Sequence, residues 1–168
     1  MVVNGQYPPP ANYFFRLASS ALFGSPATYL RRWNGIWIDR VLYTREWRRI
    51  VKEMIEEWVF SAKIEVVIAT GGVGLSVVTS SAPARALALI SAAIALCNSA
   101  YSLVLAMQYR ILGSHAADGA GFIQKNESSS TGLQSLALIC SIPGALVIWT
   151  TFLLYSWGCM RMPEAVDS

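Results

Sequence analysis

Apolar positions recur along the chain in two rhythms. Between residues 36 and 62, Trp47, Ile50, Val51, Met54, Ile55 and Trp58 return at three- and four-residue spacing, with Arg45, Arg48, Arg49, Lys52, Glu53 and Glu56 between them. That spacing predicts one apolar helical face backed by a charged one. Further along, the alternation gives way to unbroken apolar runs over 66–82, 86–107 and 133–157. The second and third contain no Asp, Glu, Lys or Arg. A bilayer core of about 30 Å takes about 20 helical residues to cross. The first run reaches that length only by starting near 63, which draws Lys63 and Glu65 to one membrane face. The pattern predicts an all-α integral membrane three-helix bundle, with spans at about 63–82, 86–107 and 133–157, preceded by an amphipathic juxtamembrane helix.

The remaining segments follow from their punctuation. Residues 1–35 carry Pro8–Pro10, Gly24, Pro26, Asn34 and Gly35 and are expected to be irregular. The helix over 36–62 is basic and Trp-bearing, a composition that lies on lipid headgroups. Its alternative position is against the link between spans two and three. Arg49/Glu53 and Lys52/Glu56 stand one turn apart and are expected to pair, each pair stabilising by about 0.2–0.5 kcal/mol. Pro83 breaks one helix and can open the next. The link over 108–132 is polar and glycine-bearing and is expected to be partly mobile, and residues 159–168 form a short tail.

Composition sharpens this reading. Of 168 residues, 54% are hydrophobic and 14% charged, where soluble domains carry about 25% charge. The net charge of +3 is concentrated before the first span, in Arg31, Arg32, Arg40, Arg45, Arg48, Arg49 and Lys52. Glu53, Glu56 and Glu57 follow so closely that no basic domain is left for nucleic acid. Lysine and arginine mark the cytoplasmic side of short loops. The N-terminus and the 108–132 link are therefore expected in the cytosol, with the C-terminus outside or luminal and Asn126-Glu127-Ser128, a glycosylation acceptor pattern, unmodified. The opening MVVNGQYPPP lacks the basic and apolar regions of a signal peptide, so the first span is expected to serve as its own insertion signal. Arg16, Arg31 and Arg32 precede the first acidic residue, Asp39, which keeps a mitochondrial membrane as the alternative residence. Cys97, Cys140 and Cys159 form no metal or redox spacing.

Small and polar residues follow helical stripes inside the spans. Glu65, Ala69, Gly72, Ser76 and Ser80 share a face of the first. Ser91, Ala95, Asn98, Ser102 and Ala106 share a face of the second, and Ala137, Ser141, Gly144 and Thr151 a face of the third. Helices associate in lipid through close backbone approach and interhelical hydrogen bonds. Glu65, Ala69, Gly72, Ser76, Ser91, Asn98, Ser102, Ser141 and Gly144 are thus the helix-packing candidates. Asn98 needs a partner, because an unpaired polar group in hydrocarbon costs several kcal/mol. Glu65 is either an interfacial carboxylate or a proton- or cation-handling group. Pro143 is expected to kink the third span. Ser114, His115 and Asp118 have hydrolase residue types but crowd one loop with nothing to orient them. A single histidine argues against a zinc site, and no catalytic residue, metal ligand or cofactor is assigned.

One resemblance is carried by particular residues. The second span closes on Leu105-Ala106-Met107-Gln108-Tyr109-Arg110. The link holds Ala116-Ala117-Asp118-Gly119-Ala120-Gly121-Phe122, and the third span reads Leu136-Ala137-Leu138-Ile139-Cys140-Ser141-Ile142-Pro143 with Trp149 beyond. Over about residues 33–158 the chain resembles a group of uncharacterised short three-span membrane proteins of basidiomycete fungi, departing from it at Gly144, where a bulkier residue is expected. The resemblance implies the architecture and carries no activity. The expected role is a structural or interaction protein that associates through its helices with a second copy or a membrane partner. The alternative is a subunit of an oligomeric channel or transporter, with Glu65 and Asn98 lining the path.

Overall fold

The computed structural model describes residues 12–37, 43–113, 116–128 and 131–161. Among them are six α-helices: α1 Tyr13–Ala21, α2 Ser25–Ile36, α3 Thr44–Val78, α4 Ala82–Leu112, α5 Ala116–Asn126 and α6 Gln134–Arg161. The fold is all-α, and α3, α4 and α6 are long and apolar enough to cross a membrane. At 35 and 31 residues, α3 and α4 measure about 52 and 46 Å, longer than a bilayer core. The amphipathic stretch and the first span are one unbroken helix, as no Pro interrupts α3. Pro83 is the second residue of α4, where its missing N–H has no helical acceptor to satisfy. The helix α6 continues through Pro143.

The chain divides into two compact units. The first comprises residues up to Glu53 together with Tyr109–Ile142. Here the expectation of an irregular N-terminal segment is corrected from residue 12 onward, because α1 and α2 occupy it. Their junction uses left-handed backbone at Phe23 (φ 54°) and Gly24 (φ 75°), a conformation glycine adopts without steric cost. Pro26 opens α2, which buries Pro26, Trp33 and Ile36. Local signals in this segment point to turns, whereas the burial of these side chains rewards helix.

Trp33 anchors an aromatic cluster, its ring 6.0 Å from that of Trp47 and 6.3 Å from that of Tyr109. Tyr109 in turn meets Phe122 of α5 edge-on at 5.6 Å. The helix α5 thus occupies residues 116–126 of the 108–132 link. A Cβ added at Gly119 would stand 2.5 Å from Trp47 Cε2, so only glycine lets the indole lie against the backbone of α5. Trp47, Ile50 and Val51 are buried. The early α3 face thus packs on α2 and on the former link, not on lipid headgroups, because α5 supplies an apolar surface for it. Trp37 Nε1 donates to Glu127 Oε2 at 3.3 Å, and the Asn12 amide donates to Gln134 Oε1 at 3.2 Å. Arg49 pairs back to Glu46 at 2.8 Å, instead of forward to Glu53.

The second unit comprises Met54–Gln108 and the chain from Pro143 onward. Its residues are distributed inside out. Glu65, Ser91, Asn98 and Thr150 are buried, while Val67, Val77, Leu96, Met107 and Phe152 stand more than half exposed. Water would penalise that surface heavily, since soluble monomers rarely show contiguous apolar patches beyond a few hundred Å². Hydrocarbon favours it. Three apolar helices with outward apolar side chains are those of a small membrane protein. Where α3 meets α4, a Cβ on Gly72 would lie 2.9 Å from Ala88 O and 3.1 Å from Ala92 Cβ. The two backbones approach that closely because glycine and alanine face each other.

Candidate functional site: a polar core between the apolar helices

Glu65 of α3 is fully buried in the second unit, where a carboxyl group needs partners. Asn98 of α4 supplies one, Nδ2 donating to Glu65 Oε1 at 2.7 Å and to Pro143 O of α6 at 3.0 Å. Both amide protons are thus used across helices. The Pro143 carbonyl also fixes which way the amide points, because the turned amide would set Oδ1 against it. Asn98 Oδ1 is left buried without a hydrogen-bond partner among the described residues. Thr150 of α6 closes the group, its Oγ1 lying 3.2 Å from Glu65 Oε2 and 3.4 Å from Oε1. The same hydroxyl stands 2.9 Å from Leu146 O of its own helix, and its single proton serves one of these acceptors at a time. Glu65 therefore touches both other helices of this unit through hydrogen-bonding side chains. Among the described residues no cation pairs with it.

Two further bonds tie the same helices. Ser99 Oγ donates to Ala62 O at 3.2 Å, and Ser91 Oγ donates to Thr150 O at 3.2 Å. Of the remaining stripe serines, Ser76, Ser102 and Ser141 turn inward without crossing, bonding Val73 O, Asn98 O and Leu138 O within their own helices, while Ser80 is exposed beyond the end of α3. Ala69 and Gly72 are buried. Gly144 is exposed, and a Cβ there would meet nothing within 4 Å, so it makes no close contact among the described residues. Thr151 is likewise exposed, bonded back to Val147 O, and Thr150 takes the inward position.

That displacement has a geometric reason. On an ideal helix Ser141 and Thr150 point about 180° apart, yet both are buried. The buried side of α6 before Pro143 is not continued on one stripe after it, so extrapolating a single stripe from Ala137 and Ser141 reaches the wrong threonine. The polar neighbours Thr150 and Thr151 were the only visible hint.

This group can lock helices together. It has the oxygens of a hard-cation site, but no group of three His, Cys, Asp or Glu side chains able to hold a metal occurs among the described residues. Of the loop residues with hydrolase types, Asp118 is exposed, and Ser114 and His115 lie outside the described residues. No family model, curated protein or solved structure matches the chain.

Proposed function

We propose that this chain is a three-span membrane protein that works by association in the bilayer, not by catalysis or conduction. One observation carries the reading. Glu65 and Asn98, the polar groups any path through the membrane would use, are enclosed by the chain's own helices and spent on bonds between them. A pore between copies would need them on an outer face, which weighs against the channel-subunit alternative. The outer surface of α3 instead presents Gly71 and Gly74, each exposed with open space at its Cβ position. Glycines on an outward face let a second helix approach closely, and a second copy of the chain is the simplest occupant. The positive-inside rule supports an N-terminus and α5 in the cytosol.

The test is the oligomeric state in liposomes at increasing lipid-to-protein ratio, read by single-molecule photobleaching. Dimers or larger species that persist on dilution, and fall to monomers in Gly71→Leu/Gly74→Leu, are the expected result. Monomers at every dilution would sink self-association. Ion flux abolished by Glu65→Gln would favour the channel reading instead. A glycan on Asn126 in microsomes would invert the orientation.

A further inference from the structure

In the first unit, α2 and the start of α3 border a cleft of about 460 Å³ whose lining includes Arg31 and Arg32 from α2 and Arg49 from α3. Thr28 and Tyr43 bring hydroxyls to the same cleft, and Glu46 and Glu53 bring carboxylates. Three guanidinium groups against two carboxylates leave a net charge of +1. Glu46 is engaged by Arg49 at 2.8 Å. Arg32 lies over the Tyr29 ring at 5.4 Å. Arg31 is exposed and has no hydrogen bond or ion pair among the described residues. Arg45, Arg48 and Lys52 stand exposed on the adjoining surface of α3 and raise the local positive potential.

The depth of this cleft follows from two independent markers. Because α3 ends at Val78, and not at 82, the roughly 20 residues that cross the core begin near residue 59. Glu53 and Arg49 precede that point by six and ten residues, or about 9 and 15 Å of helix. Headgroup layers extend about 5–8 Å beyond the hydrocarbon on each side. The near rim of the cleft therefore stands at the outer edge of the headgroups and its far rim beyond them, within reach of long arginine side chains. The second marker is α1. Tyr13, Phe14 and Leu17 are 75%, 69% and 53% exposed on one face, while Phe15 on another is buried. This helix is tethered through Asn12 to Gln134, the first residue of the apolar helix α6. An aromatic face held beside the entrance of a spanning helix lies in the bilayer interface, and α2 follows α1 directly through the Phe23–Gly24 turn.

We propose that the α2–α3 cleft binds the phosphate of an anionic phospholipid headgroup. Arg31 and Arg49 carry the charge match, since guanidinium groups meet phosphate oxygens in paired, charge-assisted hydrogen bonds. Thr28 and Tyr43 donate from the sides. Arg32, held on Tyr29, adds field without moving. The proposal rests on the membrane reading and is independent of self-association.

The full chain in detergent, offered phosphatidic acid or phosphatidylcholine and analysed by native mass spectrometry, tests this. Phosphatidic acid is expected to be retained in preference to phosphatidylcholine. Arg31→Gln/Arg49→Gln should lower that retention about 10- to 30-fold, from two surface charges, with helicity unchanged by circular dichroism. Arg45→Gln/Arg48→Gln, outside the cleft, should leave most of it. Equal retention of the two lipids overturns the proposal, and so does an equal loss in both double variants, which would mean diffuse surface charge. Inorganic phosphate competing as strongly as the lipid would also overturn it, since the ligand would then be a soluble phosphate. Should Arg31→Gln/Arg49→Gln fail to fold, Arg31→Lys/Arg49→Lys keeps the charge and loses the paired geometry. It is expected to bind several-fold less tightly, and undiminished binding counts against the cleft.

Discussion

Asn98→Ala removes two cross-helix bonds in one step, to Glu65 Oε1 at 2.7 Å and to Pro143 O at 3.0 Å. Interhelical hydrogen bonds in bilayers contribute about 0.6 kcal/mol on average and up to about 1.7 kcal/mol. Two of them give about 1–3 kcal/mol, a change of about 5- to 150-fold in the folded-to-unfolded ratio. The loss is measurable by titrating the chain in mixed micelles with dodecyl sulfate and following helicity. A double-mutant cycle with Glu65→Ala isolates the bond, with an expected coupling of about 0.6–1.7 kcal/mol. Glu65→Gln supplies the internal control. Its carbonyl still accepts from Asn98 and its amide donates to Thr150 Oγ1, so it should lie close to the parent while Glu65→Ala does not. Additivity of Asn98→Ala and Glu65→Ala within about 0.3 kcal/mol would refute the reasoning. So would a Glu65→Gln variant as unstable as Glu65→Ala, because the carboxylate would then matter for more than its hydrogen bonds.

Other substitutions probe the packing. Gly72→Ala sets a methyl group 2.9 Å from the Ala88 carbonyl oxygen and should destabilise by about 1–3 kcal/mol in the same titration. Gly74→Ala, with open space, should leave the fold intact. Gly119→Ala drives a methyl into the Trp47 indole and should raise amide exchange throughout α5, an effect absent from Gly121→Ala, where the position is open. Cys97 and Cys159 are exposed and Cys140 is buried. Cys97 lies mid-span on a lipid-facing surface, where no water stabilises the thiolate that reacts. A membrane-permeant maleimide in vesicles should therefore label Cys159 near the end of α6 and spare both Cys97 and Cys140. Rapid labelling of Cys140 before unfolding would contradict its packing against Tyr109, whose hydroxyl stands 3.4 Å from Cys140 Sγ.

The helical class and the three spans were legible in the order of residues because length and charge are local properties. A run from 86 to 107 without one Asp, Glu, Lys or Arg cannot be a comfortable water-facing helix, whatever surrounds it. The stripe containing Glu65 and Asn98 was equally legible, since helical period alone aligns residues along a face. What period cannot supply is the angle at which one face meets another. Only the packed helices decide that Asn98 bridges Glu65 and Pro143, that Thr150 faces inward in place of Thr151, and that Gly144 looks outward. The helices α1, α2 and α5 escape local sequence signals for a related reason. The glycines and prolines of these segments are local signals for turns, whereas Trp33, Trp47, Tyr109 and Phe122 meet across the chain to hold α2 and α5, and α1 buries Phe15. Sequence determined the solvent this polypeptide requires. Tertiary structure decided which of its few polar atoms are shielded from that solvent, because a hydrogen bond across helices depends on ångström-scale positions that residues distant in sequence set together.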